Sequence, residues 1–231
     1  MLDEAEVAGL GAFKAEIEHR AGAWWASDQP FLALEPVTTD TEADRIAAYL
    51  EGVDWRRRFA VLNDAHVSEV VDQQSYALTD RRRRYSICDV AMDADMRRGP
   101  LGELVDALTS STVRASLESA VGVKLREEPW LGLSRYCHGA FLSGHNDVHD
   151  DRIVGLVVYF MCGPQGPGGD FFVLTEGGQV QLVPPKHNSA VLLRMAASQF
   201  HGVKPMRTVG SIRYALAIHF QREASPDEDG E

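Results

Sequence analysis

The chain has 231 residues, 45% of them hydrophobic and 25% charged, and a net charge of -11. That is enough apolar sequence for one folded domain with a sizeable core, and the acidic balance excludes a phosphate backbone as the main partner, so no nucleic acid is expected. Cys88, Cys137 and Cys162 have no paired or metal-type spacing, residues 1–6 lack the basic start of a signal peptide, and no apolar run is long enough to cross a bilayer; free thiols, a cytoplasmic location and no membrane are expected.

In chain order, residues 2–20 carry Leu2, Val7, Leu10, Phe13 and Ile17 at helical spacing. Trp24-Trp25 follow. Thr39 to Leu50 offers a second helix, capped by Thr39 or Asp40, with Ile46, Ala47 and Leu50 on one face. Residues 56–91 are predicted as short strands and turns, within which the Arg81–Arg84 run is a solvated turn in preference to a binding patch. Leu101 to Val121, introduced by Gly99-Pro100, is predicted as one third helix.

From Trp130 the texture changes to short β segments separated by Gly, Pro, Asn and Asp clusters. They are Gly132–Tyr136, Phe141–Asp147, Ile153–Met161, Asp170–Leu174, Val180–Val183, Ala190–Leu193, His201–Lys204 and Ile212–Phe220. About eight short strands in sequence predict a barrel or jelly roll, with the earlier helices packed outside one sheet. The expected organisation is a single domain over 1–222, helix-rich in 1–129 and β in 130–222. The acidic tail 223–231 is expected to be disordered.

The chemistry lies in the β half. His145 and Asp147 are one residue apart, His201 follows 54 residues after Asp147, and Arg213 comes 12 after that. Residues i and i+2 of a strand share a face, so His145 and Asp147 are expected to point together into the barrel mouth. Two histidines and a carboxylate can occupy one face of an octahedral Fe(II), leaving three positions for a bidentate cosubstrate and O2. A competing copy of the pair, His149-x-Asp151, would leave almost no loop before the strand at Ile153. Among the remaining histidines, His187 is expected in a structural turn and His219 packed on a late strand. Gly168-Gly169 has neither the lysine nor the helix of a phosphate loop.

The full set of motifs resembles the Fe(II)/2-oxoglutarate-dependent dioxygenases, in their prolyl-hydroxylase-like branch. The matching pieces are Arg135-Tyr136-x-x-Gly139-x-Phe141-x-x-x-His145-x-Asp147, Tyr159-Phe160, Gly168-Gly169-Asp170-Phe171, Pro184-x-x-x-Asn188-x-Ala190-x-Leu192, His201-x-Val203-x-Pro205-Met206 and Arg213. They cover about residues 130–221; residues 1–129 carry no comparable signature. The resemblance implies a double-stranded β-helix, or jelly-roll, core that is mainly β with packed helices and an N-terminal helical extension. It also implies Fe(II), 2-oxoglutarate and O2. By matching position, His145, Asp147 and His201 would hold the metal. Arg213 would pair with the C5 carboxylate of 2-oxoglutarate, Arg207 being the alternative, and Tyr136 or Tyr159 would donate a hydroxyl to the same group. His138, His149 and Asp150 are candidate substrate contacts.

The reaction implied couples oxidative decarboxylation of 2-oxoglutarate to hydroxylation of an unactivated C–H bond. Related halogenases have Gly or Ala at the position of Asp147, so hydroxylation is the expected outcome. A short acidic chain with no attached peptide-repeat or nucleic-acid module favours a small-molecule substrate, an amino acid or biosynthetic intermediate. The alternatives are a peptidyl or protein prolyl hydroxylase, and a metal-binding cupin-like barrel without turnover.

Overall fold

A computed structural model describes residues 4–65, 67–149 and 151–223. The expected disordered tail lies, apart from Glu223, outside the described residues. Helix α1 (Glu4–Trp25) extends five residues beyond its predicted end and carries Leu10, Phe13, Ile17, Ala21 and Trp24 as one buried stripe. Strand β1 (Phe31–Leu34), absent from the sequence prediction, follows it. Helix α2 (Asp40–Glu51) is capped by Thr39, whose side chain accepts from the Glu42 amide, with Asp40 and Glu42 in the first turn.

Strands β2 (Arg56–Leu62) and β3 (Ser68–Val71) form a hairpin, and a short helix α3 (Gln73–Leu78) leads to β4 (Arg84–Val90). Arg81–Arg83 form a 3-10 turn before β4, as expected of a solvated segment; Arg83 pairs with Asp64, and Arg84 lies over the Tyr76 ring. A single turn, α4 (Asp93–Met96), precedes the next helical pair.

The predicted third helix is two: α5 (Gly99–Leu108) and α6 (Ser111–Val121). The break falls at Thr109-Ser110, whose hydroxyls bond back to the carbonyls of Val105 and Ala107, while Ser110 is extended at ψ 155. Short hydroxyl side chains offer the backbone this alternative to the helix ladder. Leu101, Leu104 and Leu108 line the inner side of α5, and Val113 and Leu117 that of α6, all buried.

The β half contains β5 (Trp130–Tyr136), β6 (Phe141–His145), β7 (Arg152–Cys162), β8 (Phe171–Leu174), β9 (Val180–Val183), β10 (Ser189–Arg194), β11 (Phe200–Val203) and β12 (Ile212–Gln221). All pairings are antiparallel, in the order β1-β10-β7-β12-β5-β4-β6-β11-β8-β9, with β2 and β3 extending from β4. The path folds over on itself at β4, which bonds both β5 and β6. The result is a nearly closed antiparallel sheet, the expected jelly roll.

Alternation along the long strands sorts two apolar cores. Val154, Leu156, Val158 and Phe160 of β7, and Tyr214, Leu216, Ile218 and Phe220 of β12, face the helices, where they pack with Phe13, Ile17, Ile46, Leu50 and Leu101. Val157, Tyr159, Val191, Leu193 and Ala215 face the barrel interior with Phe171, Val173 and Val203. Each fully buried large side chain stabilises the fold by about 1.5–3 kcal/mol of transfer free energy. Asn188 couples the two layers. Held at φ 59, its side chain accepts from the amides of Val37 and Thr38 and donates to the Thr38 carbonyl and Asp40.

Candidate active site

The interior face of the jelly roll encloses a cavity of about 290 Å³. His145 ends β6 and His201 lies on β11, and the antiparallel register sets them opposite each other, with ring centroids 4.3 Å apart. Asp147 lies beyond β6, not within it. Its φ of 49 places it in the left-handed region, so a tight turn, and not strand alternation, brings its carboxylate back to the histidines. Its Oδ2 is 3.4 Å from His145 Nε2 and 3.3 Å from His201 Nε2. The ligand atoms of these three residues lie within 4.8 Å of one another.

The second nitrogens are informative. His145 Nδ1 is 3.0 Å from the Ser143 carbonyl, which can only accept, so the proton sits there and Nε2 presents a lone pair to the cluster. His201 is buried, and burial pushes its pKa below the ordinary value, which keeps it in the neutral form a metal requires. Burial alone would raise Asp147, but its close contacts with His145 and His201, and the nearby His219, outweigh it and hold the carboxyl far below the usual carboxylate range. Two neutral imidazoles and one carboxylate are a donor set suited to Fe(II), so these residues fit the metal.

Below this cluster Arg213, on β12, is 1% exposed. Its Nη1 donates to the Gly169 carbonyl, its Nε has no hydrogen-bond partner, and its guanidinium lies 4.4 Å from the Tyr159 ring centroid and 5.4 Å from that of Tyr136. No carboxylate among the described residues pairs with it. The Tyr159 hydroxyl is likewise buried without a partner, and burial raises the pKa of both tyrosines. A buried unpaired cation is costly in isolation. A cationic group lining the cavity, with an orphaned hydroxyl beside it, therefore suits an anionic ligand.

The other sequence-derived candidates separate cleanly. Arg207 is exposed and outside the cavity, and His138 is exposed in the turn between β5 and β6, also outside it. His149 lines the mouth, with Nε2 3.7 Å from Asp147 Oδ1; Asp150 lies outside the described residues. Asp151 faces Arg126 at 3.3 Å, so the rival pair His149 and Asp151 does not converge. His187 accepts from the Met161 amide, a structural role as expected.

Several cavity residues escaped the sequence reading. Tyr85 packs edge-on against His145 at 5.8 Å, and Arg58 and Ser68 reach the rim from the β2–β3 hairpin. Arg152, Trp130 and His219 form one wall. His219 is packed, as expected, yet it also lines the site, and its pKa is pushed down to about 3 by burial, with Arg152 adding to the effect. No spacing motif marks these residues, because they come from six separate strands.

A jelly roll with an imidazole–carboxylate cluster and a buried arginine in one cavity is an arrangement suited to a metal ion beside an anionic ligand. Residues 131–221 match the model of the 2OG-Fe(II) oxygenase superfamily. In structure, the chain is similar to a prolyl 4-hydroxylase from Pseudomonas putida (TM-score 0.64, 16% identity, covering 90% of this chain and 100% of that one). It is also similar to a prolyl hydroxylase from Trichoplax adhaerens in complex with a hypoxia inducible factor oxygen degradation domain peptide fragment (0.63, 16%, 90% of each). A third likeness is to a 2OG-Fe(II) oxygenase family protein from Burkholderia pseudomallei (0.55, 16%, 97% and 95%). No curated protein matches the chain in sequence. The match lies on the β core, and together with the candidate iron site it indicates a dioxygenase that uses Fe(II), 2-oxoglutarate and O2. No described helix is long and apolar enough to cross a membrane.

Proposed function

We propose that the chain hydroxylates an unactivated C–H bond of a small molecule, an amino acid or biosynthetic intermediate. His145, Asp147 and His201 would hold Fe(II). O2 is the oxidant: with the metal and 2-oxoglutarate bound, one oxygen atom would enter succinate as CO2 leaves, and the other would enter the substrate C–H bond. Arg213 anchors the C5 carboxylate, and the Tyr159 hydroxyl, otherwise without a partner, donates to it. The Tyr136 ring closes the other side. The apolar walls Val157, Phe171 and Val203 exclude water from the floor. The observation that carries this reading is the buried Arg213 in the same cavity, with no carboxylate partner among the described residues: a non-catalytic metal-binding barrel has no use for it.

A peptidyl prolyl hydroxylase is the second reading, supported by the likeness to prolyl hydroxylases from P. putida and T. adhaerens. The test is succinate formation from 2-oxoglutarate with Fe(II) in the presence of free amino acids or of proline-containing peptides. Stimulation by amino acids supports the first reading and stimulation by peptides alone the second. No Fe(II)-dependent succinate under either condition counts against both.

A further inference from the structure

Arg152 opens β7 with only 7% of its surface exposed. Its Nη1 is 2.9 Å from His219 Nδ1. A guanidinium has donors only, so His219 Nδ1 accepts and the ring proton sits on Nε2, 3.8 Å from Asp147 Oδ2. The same Nη1 is 3.4 Å from Asp147 Oδ1. The guanidinium also lies over Trp130 at 4.7 Å, and Trp130 stacks on His219 at 4.8 Å, so packing holds Arg152 on two sides.

These contacts sort the two oxygens of Asp147. Oδ2 faces His145 and His201, while Oδ1 faces Arg152 and, at 3.7 Å, His149. The sorting has a chemical consequence. A carboxylate can bind a metal through one oxygen or two, and the second oxygen would occupy a position that the cosubstrate or O2 needs. The backbone does not prevent this, because Asp147 lies in a turn outside the sheet.

We propose that Arg152, held by His219 and Trp130, is a positioning residue that engages Oδ1 of Asp147 and restricts this carboxylate to one-oxygen ligation through Oδ2. The proposal rests on reading His145, Asp147 and His201 as the metal ligands. Arg152 acts through Asp147: it keeps the cosubstrate's positions open without contacting the metal.

The test separates metal binding from cosubstrate binding. Mn(II), which resists oxidation, is titrated into full-length wild type and into Arg152→Leu, Arg152→Gln, Arg152→Lys and His145→Ala; 2-oxoglutarate is then titrated into each Mn(II)-loaded protein. Arg152→Leu is expected to bind Mn(II) at least as tightly as wild type but 2-oxoglutarate about tenfold or more weakly, although Arg213 is intact. Arg152→Lys restores most of the loss. Thermal melts check folding, and Arg152→Gln, close in length, is read in the same way if Arg152→Leu does not fold. Unchanged 2-oxoglutarate affinity in the loaded Arg152 variants overturns the proposal. A parallel loss of both affinities also overturns it and leaves Arg152 a packing residue. If His145→Ala binds Mn(II) like wild type, the ligand assignment itself has failed, a result distinct from either outcome at Arg152.

Discussion

At the scale of single residues, the site depends on groups whose burial demands a partner. His145→Ala, Asp147→Ala and His201→Ala should each abolish stoichiometric Fe(II) binding and activity, whereas His149→Ala should retain the metal. Metal analysis of the purified variants checks this, and full iron retention in all three would refute the assignment. Arg213→Leu should weaken 2-oxoglutarate binding by about 2–4 kcal/mol, roughly 30- to 1000-fold, because a charge-assisted pair in a buried pocket is lost. Isothermal titration decides the point: near-normal affinity would remove Arg213 as the anchor, and a large loss in exposed Arg207→Leu would move the anchor there. His145, Asp147, His201 and Arg213 were legible in the chain because their order and spacing form a pattern. Arg152, Trp130 and His219 were not, because their meaning lies in contacts across β5, β7 and β12 that no local pattern encodes.

At the scale of elements, alternation was the readable signal, and side-chain hydrogen bonding was the hidden one. The strands of the β half were predicted within about two residues because turn-forming clusters punctuate them. Asp147 was misassigned to β6 because an i, i+2 pair resembles strand alternation, whereas its left-handed φ ends the strand first. Strand β1 has only four residues and exists because β10 supplies its partner. Helices α5 and α6 were merged because their apolar stripes continue across Thr109-Ser110. Asn188 is the clearest load on an element junction. Asn188→Ala should destabilise the protein by about 1–3 kcal/mol, since it leaves the buried Thr38 amide short of an acceptor, while the Val37 amide keeps the carbonyl of residue 188 at 3.2 Å. Urea unfolding measures this; a change below about 0.5 kcal/mol would mean that water replaces the side chain without cost.

At the scale of the whole molecule, metal binding and folding are linked, because the cluster is assembled from β6, β11 and the turn after β6 and does not exist in the unfolded chain. A metal at a hundredfold excess over its Kd adds about 2.7 kcal/mol of stability, which for a protein of this size raises Tm by roughly 5–10 °C. Calorimetry with Mn(II), with and without a chelator, checks it; a chelator-insensitive Tm would contradict the assembled site. Turnover in chloride should give a product heavier by one oxygen atom and no chlorinated species, because Asp147 occupies the position a halide would need. A chlorinated product seen by mass spectrometry would show that Asp147 is not a ligand. The amino-acid sequence by itself determined the β class of residues 130–222, the identity of the residues able to bind a metal, and the superfamily resemblance, because periodicity and motif spacing are local properties of the chain. Only the tertiary structure decided how the β half closes at β4, which face of β7 and β12 meets the helices, that Asp147 reaches the histidines from a turn, and that no carboxylate among the described residues pairs with Arg213. Each of these depends on which distant strands pair and what burial then leaves unsatisfied, and long-range pairing is set by the packing of the whole molecule.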